Sequence, residues 1–254
     1  MLNLVLGSGS AMGDILVEHP AIKAVSFTGS NSVGKRVHTI CGARGVKATC
    51  EMGGKNPAVI WEDADLELAL GGVMKGAFGS TGQRCTATSR LILHEKIADK
   101  FLKMVVGETK KLKVGDGLDP TVTMGPAVDQ SQMDTDLEYI DIAKREGATL
   151  VIGGRRLTDG ARQHGYFVEP TIFDHVKPSM RLFKEEVFGP VLAVIRVKSA
   201  EEMIEVANDC EFGLTCAIYT QDVSLAMNFS DKIEAGMVHV NSPTIGGEAQ
   251  VPFG

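Results

Sequence analysis

The stretch Lys23-Ala24-Val25-Ser26-Phe27-Thr28-Gly29-Ser30-Asn31-Ser32-Val33-Gly34 decides the class of fold. An apolar run that reads as a strand gives way to a glycine and small hydroxyls. The residues from Ser32 to about Cys41 then read as a helix. A helix entered this way turns unpaired backbone N–H groups and the positive end of its dipole toward the turn, which suits a phosphate. The same spacing also describes an ordinary strand-to-helix turn with a serine cap.

Working outward, Asn3-Leu4-Val5-Leu6 reads as a buried strand, Ala11 to Glu18 as a short helix entered through Gly7-Ser8-Gly9, and Val46 to Glu51 as the next strand. Beyond the Gly53-Gly54 hinge, strands are predicted at Pro57 to Ile60, Ser89 to Leu93, Leu150 to Ile152, Val191 to Val197, Thr215 to Tyr219 and Met237 to Val240. Helices are predicted at Leu66 to Phe78, after an N-cap in Asp63-Ala64-Asp65, and at Ile97 to Lys110, Met133 to Glu146, Glu201 to Asn208 and Val223 to Ile233. Asp116 to Val122 and Gly160 to Gly165 read as exposed loops. Short apolar runs alternating with amphipathic stretches imply an α/β protein with mainly parallel strands.

With 254 residues, 44% of them hydrophobic, the chain is long enough to bury a substantial core in one or two domains. A net charge of -6 argues against nucleic-acid partners, because neutralising phosphates needs clustered Lys and Arg. No apolar run approaches a membrane span and the first residues do not read as a signal peptide, so no membrane association is expected. The five cysteines, at 41, 50, 85, 210 and 216, have neither CxxC nor metal-ligand spacing, and the six histidines are scattered. No metal is expected, and an odd cysteine count fits a reducing, cytoplasmic compartment.

Two residues stand out chemically. Cys85 lies in the polar, glycine-broken turn Gly82-Gln83-Arg84-Cys85-Thr86, where a thiol is exposed enough to react and held well enough to aim. Glu51 closes a predicted strand in Ala48-Thr49-Cys50-Glu51-Met52-Gly53-Gly54-Lys55, so its carboxylate is placed to point into a cleft. Taken alone, a cysteine is commonly a small buried hydrophobe and a glutamate at a strand end a surface acid.

Taken together with Phe27-Thr28-Gly29-Ser30 and Glu185-Glu186-Val187-Phe188-Gly189-Pro190, these motifs, in this order, resemble the NAD(P)-dependent aldehyde dehydrogenase superfamily. The resemblance implies an aldehyde dehydrogenase-like α/β fold. Residues 1–51 would form the last part of a Rossmann-type cofactor layer, and residues 52–254 an α/β catalytic domain with a mainly parallel sheet. It implies Cys85 as nucleophile and Glu51 as the base that activates water. Gly29, Ser30, Gly34 and Met52 would lie on the cofactor, NAD or NADP, with Glu186 on the nicotinamide ribose and Phe188 beside the nicotinamide. The backbone N–H of Cys85 would be one oxyanion donor, and Asn56 would be structural. Ser80 departs from the asparagine that many members carry there.

The cysteine loop and the tail Asn241-Ser242-Pro243-Thr244-Ile245-Gly246-Gly247-Glu248 look most like the ketoglutarate-semialdehyde (2,5-dioxovalerate) dehydrogenase branch. Such a substrate brings a carboxylate, for which Arg84 is the candidate partner. The resemblance covers the whole chain but around half of a family member. It implies a fragment that starts after the adenine-side strands and stops before the oligomerisation hairpin, with the family's second oxyanion donor outside it. The full-length enzyme would be a homo-oligomer acting on a small-molecule aldehyde. The alternative is an inactive remnant or partner-dependent fragment with at most weak esterase activity through Cys85. Every assignment of chemistry rests on the side chains of Cys85 and Glu51 meeting in one crevice.

Overall fold

The computed structural model describes residues 2–247 and 250–253; Met1, Glu248 of the 241–248 tail, Ala249 and Gly254 lie outside the described residues. The chain divides into two units, Met1–Gly53 and Gly54–Gly254, each with its own core.

The first unit contains α1 (Gly9–Glu18), β1 (Ala24–Thr28), α2 (Asn31–Ala43) and β2 (Lys47–Glu51). Strands β1 and β2 pair in parallel, Ala24 opposite Lys47 and Thr28 opposite Glu51, with α2 as the crossover. This is a Rossmann-like βαβ unit. Val17, Val37 and Cys41 are buried between the helices and the sheet, with Phe27 and Ile40 packed against them. Arg44, the C-cap of α2, donates to the carbonyls of Val17, His19 and Ile22, tying α2 to the end of α1 and the turn after it.

Asn3-Leu4-Val5-Leu6 is not the buried strand expected of it. The segment forms no strand, and Leu4 and Leu6 are 83% and 82% exposed. An apolar run becomes a strand only where it pairs with another, and among the described residues β1 and β2 pair only with each other.

The second unit contains β3 (Asn56–Ile60), α3 (Leu66–Phe78), β4 (Thr88–His94), α4 (Glu95–Thr109), α5 (Gln130–Arg145), β5 (Thr149–Ile152), β6 (Thr171–Asp174), α6 (Arg181–Lys184), β7 (Val191–Val197), α7 (Ala200–Asn208), β8 (Thr215–Tyr219), α8 (Val223–Lys232) and β9 (Met237–Val240). A seven-stranded sheet has the order β5-β6-β7-β4-β3-β8-β9, and every pairing is parallel except β5 with β6 at one edge.

Successive residues of a strand face opposite sides, and here both sides are covered. Val59, Ile92, Ala193, Ile195 and Ile218 enter one core with residues of α5, α7 and α8. Their neighbours Ala58, Ile60, Leu91, Leu93, Leu192, Val194 and Ala217 enter a second core with α3 and α4. The run Ala58-Val59-Ile60 is therefore apolar without alternation, as a doubly covered parallel strand requires.

Helix starts follow side-chain capping. Asp65 accepts from the N–H groups of Glu67 and Leu68, Ser199 from Glu202 and Asp222 from Ser224 and Leu225, each worth about 1 kcal/mol. Two elements were not legible in the sequence, β6 and α6. At four residues each, they are too short to show a period. Residues 160–164, read as loop, form a 3-10 turn.

Candidate functional site

In the first unit, the carboxyl ends of β1 and β2 and the start of α2 bring five of the expected residues together, Gly29, Ser30, Gly34, Glu51 and Met52. Gly29 N–H donates to the carbonyl of Glu51 at 3.0 Å, and Gly34 N–H to that of Ser30 at 2.9 Å. A Cβ on Gly29 would stand 2.5 Å from the Phe27 ring, and one on Gly34 would stand 2.5 Å from Met52 Sδ. A side chain at either glycine would therefore have to displace Phe27 or Met52, and their absence keeps the turn tight against the strand ends. Ser30 sits at the N-cap position of α2 but makes no side-chain cap bond; its hydroxyl instead meets that of Ser32 at 3.2 Å. The first turn of α2 keeps the character of an anion site, and its residues fit a cofactor phosphate. Glu51, half-buried, ends β2, and Asn31 Oδ1 accepts from Gly53 N–H at 3.0 Å just beyond it.

In the second unit, the chemistry-bearing loops gather at the amino ends of β3, β4 and β7, which are neighbours in the sheet. Cys85 is half-buried in the turn before β4. Asn56, the first residue of β3, donates from Nδ2 to the carbonyls of Cys85 (2.7 Å) and Ala87 (2.8 Å). Both of its amide protons are therefore committed, which makes Asn56 a clamp on the cysteine turn. Gln83 exchanges two bonds with the 126–128 segment, 3.2 Å to the Pro126 carbonyl and 2.8 Å from Val128 N–H. Thr244 Oγ1 is 2.8 Å from the Thr86 carbonyl and 2.8 Å from Thr88 Oγ1, pinning the tail to the far side of the same turn.

The turn before Cys85 is strained. Ser80, Thr81 and Gly82 have φ of 52°, 60° and 68°, three successive left-handed residues. Asparagine tolerates that region better than serine, which is a physical reason for the asparagine carried there by many members of the family it resembles. Gly82 cannot be replaced, because a Cβ would collide with the Gly189 carbonyl. Arg84 is exposed and its Nε donates to Ser80 Oγ at 2.9 Å.

Of the adjacent acids, the structure separates two roles. Glu185 is held by Tyr139 Oη at 2.5 Å and by Arg181 at 2.8 Å, on the outside. Glu186 turns the other way and accepts from Gly54 N–H at 2.9 Å. Burial pushes its carboxyl above the usual range, opposed by the Gly54 bond and the charge of Lys55. Phe188 is held 38% exposed with φ at 61°, a conformation costly for a bulky residue and characteristic of functional positions. A narrow cleft lined by Gly54, Arg84, Ala87, Glu186 and Phe188 joins the two loops.

Sequence reasoning missed the buried cations beneath this cleft. Lys55 is 1% exposed, and its Nζ has no hydrogen-bond partner among the described residues. Arg90, also 1% exposed, donates to the carbonyls of Lys55, Val206 and Ala207 and so caps the carboxyl end of α7. Burial, then the Arg90 charge, lowers the Lys55 ammonium from 10.5 to about 7. The unfolded chain holds that proton up to its ordinary pKa, so the cost of Lys55 to the fold grows as pH falls from about 10 to about 7 and is constant below. Lys55→Met, similar in volume and apolar, is expected to raise stability at pH 7 by on the order of 3 kcal/mol. The gain should vanish near pH 10.5, as read by denaturant unfolding at both pH values.

The family model for the aldehyde dehydrogenase family matches residues 1–254. The alpha-ketoglutaric semialdehyde dehydrogenase of Bacillus subtilis (strain 168) is 48% identical over all of this chain, which corresponds to 52% of that protein. The 2,5-dioxopentanoate dehydrogenase of Saccharolobus solfataricus is 44% identical, again over 100% of this chain and 52% of its own length. Among solved structures, the betaine aldehyde dehydrogenase of Staphylococcus aureus in complex with NAD+ superposes with a TM-score of 0.95 at 37% identity, covering 98% of this chain and 49% of that one. The chain thus spans about half the length of the relatives it matches. With the match extending over every residue and the parallel α/β fold shared, the chain belongs to the aldehyde dehydrogenase family.

Proposed function

We propose that this chain carries the nucleophile, the base and part of the cofactor site of an NAD(P)-dependent oxidation of a semialdehyde to the carboxylic acid, with ketoglutarate semialdehyde as the substrate tested first. The observation that carries the reading is the construction around Cys85. Its turn is clamped at the main chain, by Asn56 on the Cys85 carbonyl and by Thr244 on the Thr86 carbonyl, which fixes the backbone that carries the sulfur.

In this reading Cys85 Sγ, as thiolate, attacks the aldehyde carbon and forms a thiohemiacetal whose oxyanion is met by the Cys85 backbone N–H. When bound, NAD(P)+ supplies the hydride acceptor. Collapse of the oxyanion releases hydride and leaves a thioester on Cys85. Glu51 takes a proton from water, the hydroxide adds to the thioester carbon, and the carboxylic acid leaves as the thiolate is restored. Gly29, Ser30 and Gly34 would position phosphate at the first turn of α2, with Met52 against Gly34. Glu186 would hold the ribose hydroxyls and Phe188 would flank the nicotinamide, setting the face from which hydride arrives. Arg84 would meet the distal carboxylate of the substrate. The support for the semialdehyde class is the 48% and 44% identity to relatives named for such substrates.

The test is reduction of NAD+ and NADP+, followed by absorbance, with ketoglutarate semialdehyde, a neutral aliphatic aldehyde and betaine aldehyde. Expected is a kcat/KM for ketoglutarate semialdehyde at least about tenfold above the neutral aldehyde, the worth of one charge-assisted contact. Arg84→Ala should erase that preference through KM. Equal turnover of all three aldehydes would refute the substrate class, and no aldehyde-dependent reduction with either cofactor would refute the activity.

A further inference from the structure

Asp136, on α5, is fully buried, with 0% of its surface exposed. Its Oδ1 accepts from Gln132 Nε2 at 2.8 Å, one helical turn back, and its Oδ2 has no hydrogen-bond partner among the described residues. Gln132 Nε2 donates its second bond to the carbonyl of Val187 at 3.0 Å. The Asp136 carboxyl lies directly against Gly189, whose lack of a side chain leaves it room: a Cβ there would overlap Oδ1 and Cγ. Both contacts fall on the strained turn Val187-Phe188-Gly189, where Phe188 has φ of 61°.

A buried carboxyl with one oxygen unmet destabilises the fold unless something is gained by its position. Packing does not require an acid here, since an apolar residue of similar size would fill the same space. The gain lies in the neighbouring turn. From α5 the Gln132 amide grips the peptide before Phe188, the Asp136 carboxyl fixes that amide in one orientation, and its own bulk fills the notch at Gly189. On the other side Glu186 is tied to Gly54 N–H at 2.9 Å. The segment is thus held at both ends, which keeps an exposed aromatic ring in a conformation that it would otherwise leave.

We infer that Asp136 is a positioning residue that, through Gln132 and by contact with Gly189, holds the Val187-Phe188-Gly189 turn and with it the placement of Glu186 and Phe188 against the nicotinamide half of the cofactor. The inference rests on the proposed function for what the turn does, and on the geometry alone for how the turn is held. Burial pushes the Asp136 carboxyl up to about 7, opposed by the Gln132 bond, in keeping with a group kept in place at a cost.

The experiment compares Asp136→Ala, Gln132→Ala and Asp136→Asn, the last of which keeps the oxygen that Gln132 donates to and the volume against Gly189. Amide hydrogen exchange of Phe188 and Gly189 reports the turn. KM for NAD+, kcat at saturating NAD+ and cofactor-free ester hydrolysis through Cys85 report its consequence. Expected are at least about tenfold faster exchange at the two amides and a severalfold higher KM for NAD+ in both alanine variants. Ester hydrolysis should stay within twofold, and Asp136→Asn should restore both readouts. Unchanged exchange in both alanine variants would overturn the inference, as would faster exchange with an unchanged KM for NAD+. Faster exchange in a protein whose unsubstituted form reduces no NAD+ would support the hold on the turn and count against the proposed function instead.

Discussion

Cys85→Ser is expected to lower aldehyde-dependent reduction of NAD(P)+ by about 10⁴-fold or more, the loss found when a covalent nucleophile is removed from a machinery otherwise intact. Serine is close to isosteric, and the Asn56 bond that clamps the turn is made to the residue-85 carbonyl, which serine keeps, so the turn should keep its form. What changes is the nucleophile. A hydroxyl is far less ionised than a thiol near neutral pH, and no adjacent histidine of this turn stands ready to deprotonate it. Binding of NAD(P)+, measured by fluorescence quenching, should stay within about twofold, because the residues proposed for the cofactor are elsewhere. Retention of more than a tenth of the turnover would remove Cys85 from the mechanism.

Glu51→Gln has the second largest expected effect and a different kinetic form. The amide keeps the size and hydrogen-bonding reach of the carboxylate but cannot take a proton from water. Acylation of Cys85 should proceed while deacylation stalls. Stopped-flow mixing should therefore show a burst of reduced cofactor near one equivalent per Cys85, followed by steady turnover lowered by about 10²–10⁴-fold, the usual worth of a general base. Hydroxylamine, which attacks thioesters without a base, should restore steady turnover in Glu51→Gln. A uniform slowing with no burst would place Glu51 before the chemical step.

The fold was legible because both faces of the main sheet are covered. That condition forces apolar runs without alternation such as Val191 to Ile195, and these cannot be confused with the amphipathic helices between them. The strand at Asn3 to Leu6 misled for the complementary reason: hydrophobicity marks what should be buried, and pairing requires a neighbour that composition does not supply. β6 was hidden because four residues behind Pro170 carry no period, and its strand state comes from β5 and β7 on either side.

The site divided in the same way. Cys85, Glu51 and Glu186 could be named as candidates because their motifs are local in sequence. The residues that hold them were not, because the holding is done across long separations. Asn56 reaches Cys85, Thr244 reaches Thr86, and Gln132 reaches Val187, each joining segments that only the sheet brings side by side. Lys55 and Asp136 gave a different kind of concealment. Nothing local in the sequence marks either as buried, and only packing shows that each is, with a polar atom unmet among the described residues. Ser80 offered a usable clue, since a departure from asparagine just before a Gly-Gln pair hints at the left-handed turn found there.

The proposed chemistry stands on Glu51 acting on an acyl group carried by Cys85. Its most direct test is the mass of the Glu51→Gln protein, quenched in acid within seconds of mixing with NAD+ and ketoglutarate semialdehyde, then digested and mapped. The account predicts one acyl group, its mass that of the semialdehyde less one hydrogen, on the peptide containing Cys85 and on no peptide containing Cys41, Cys50, Cys210 or Cys216. An unmodified Cys85 peptide alongside a measured burst of NADH, or the acyl group on another cysteine, would contradict it.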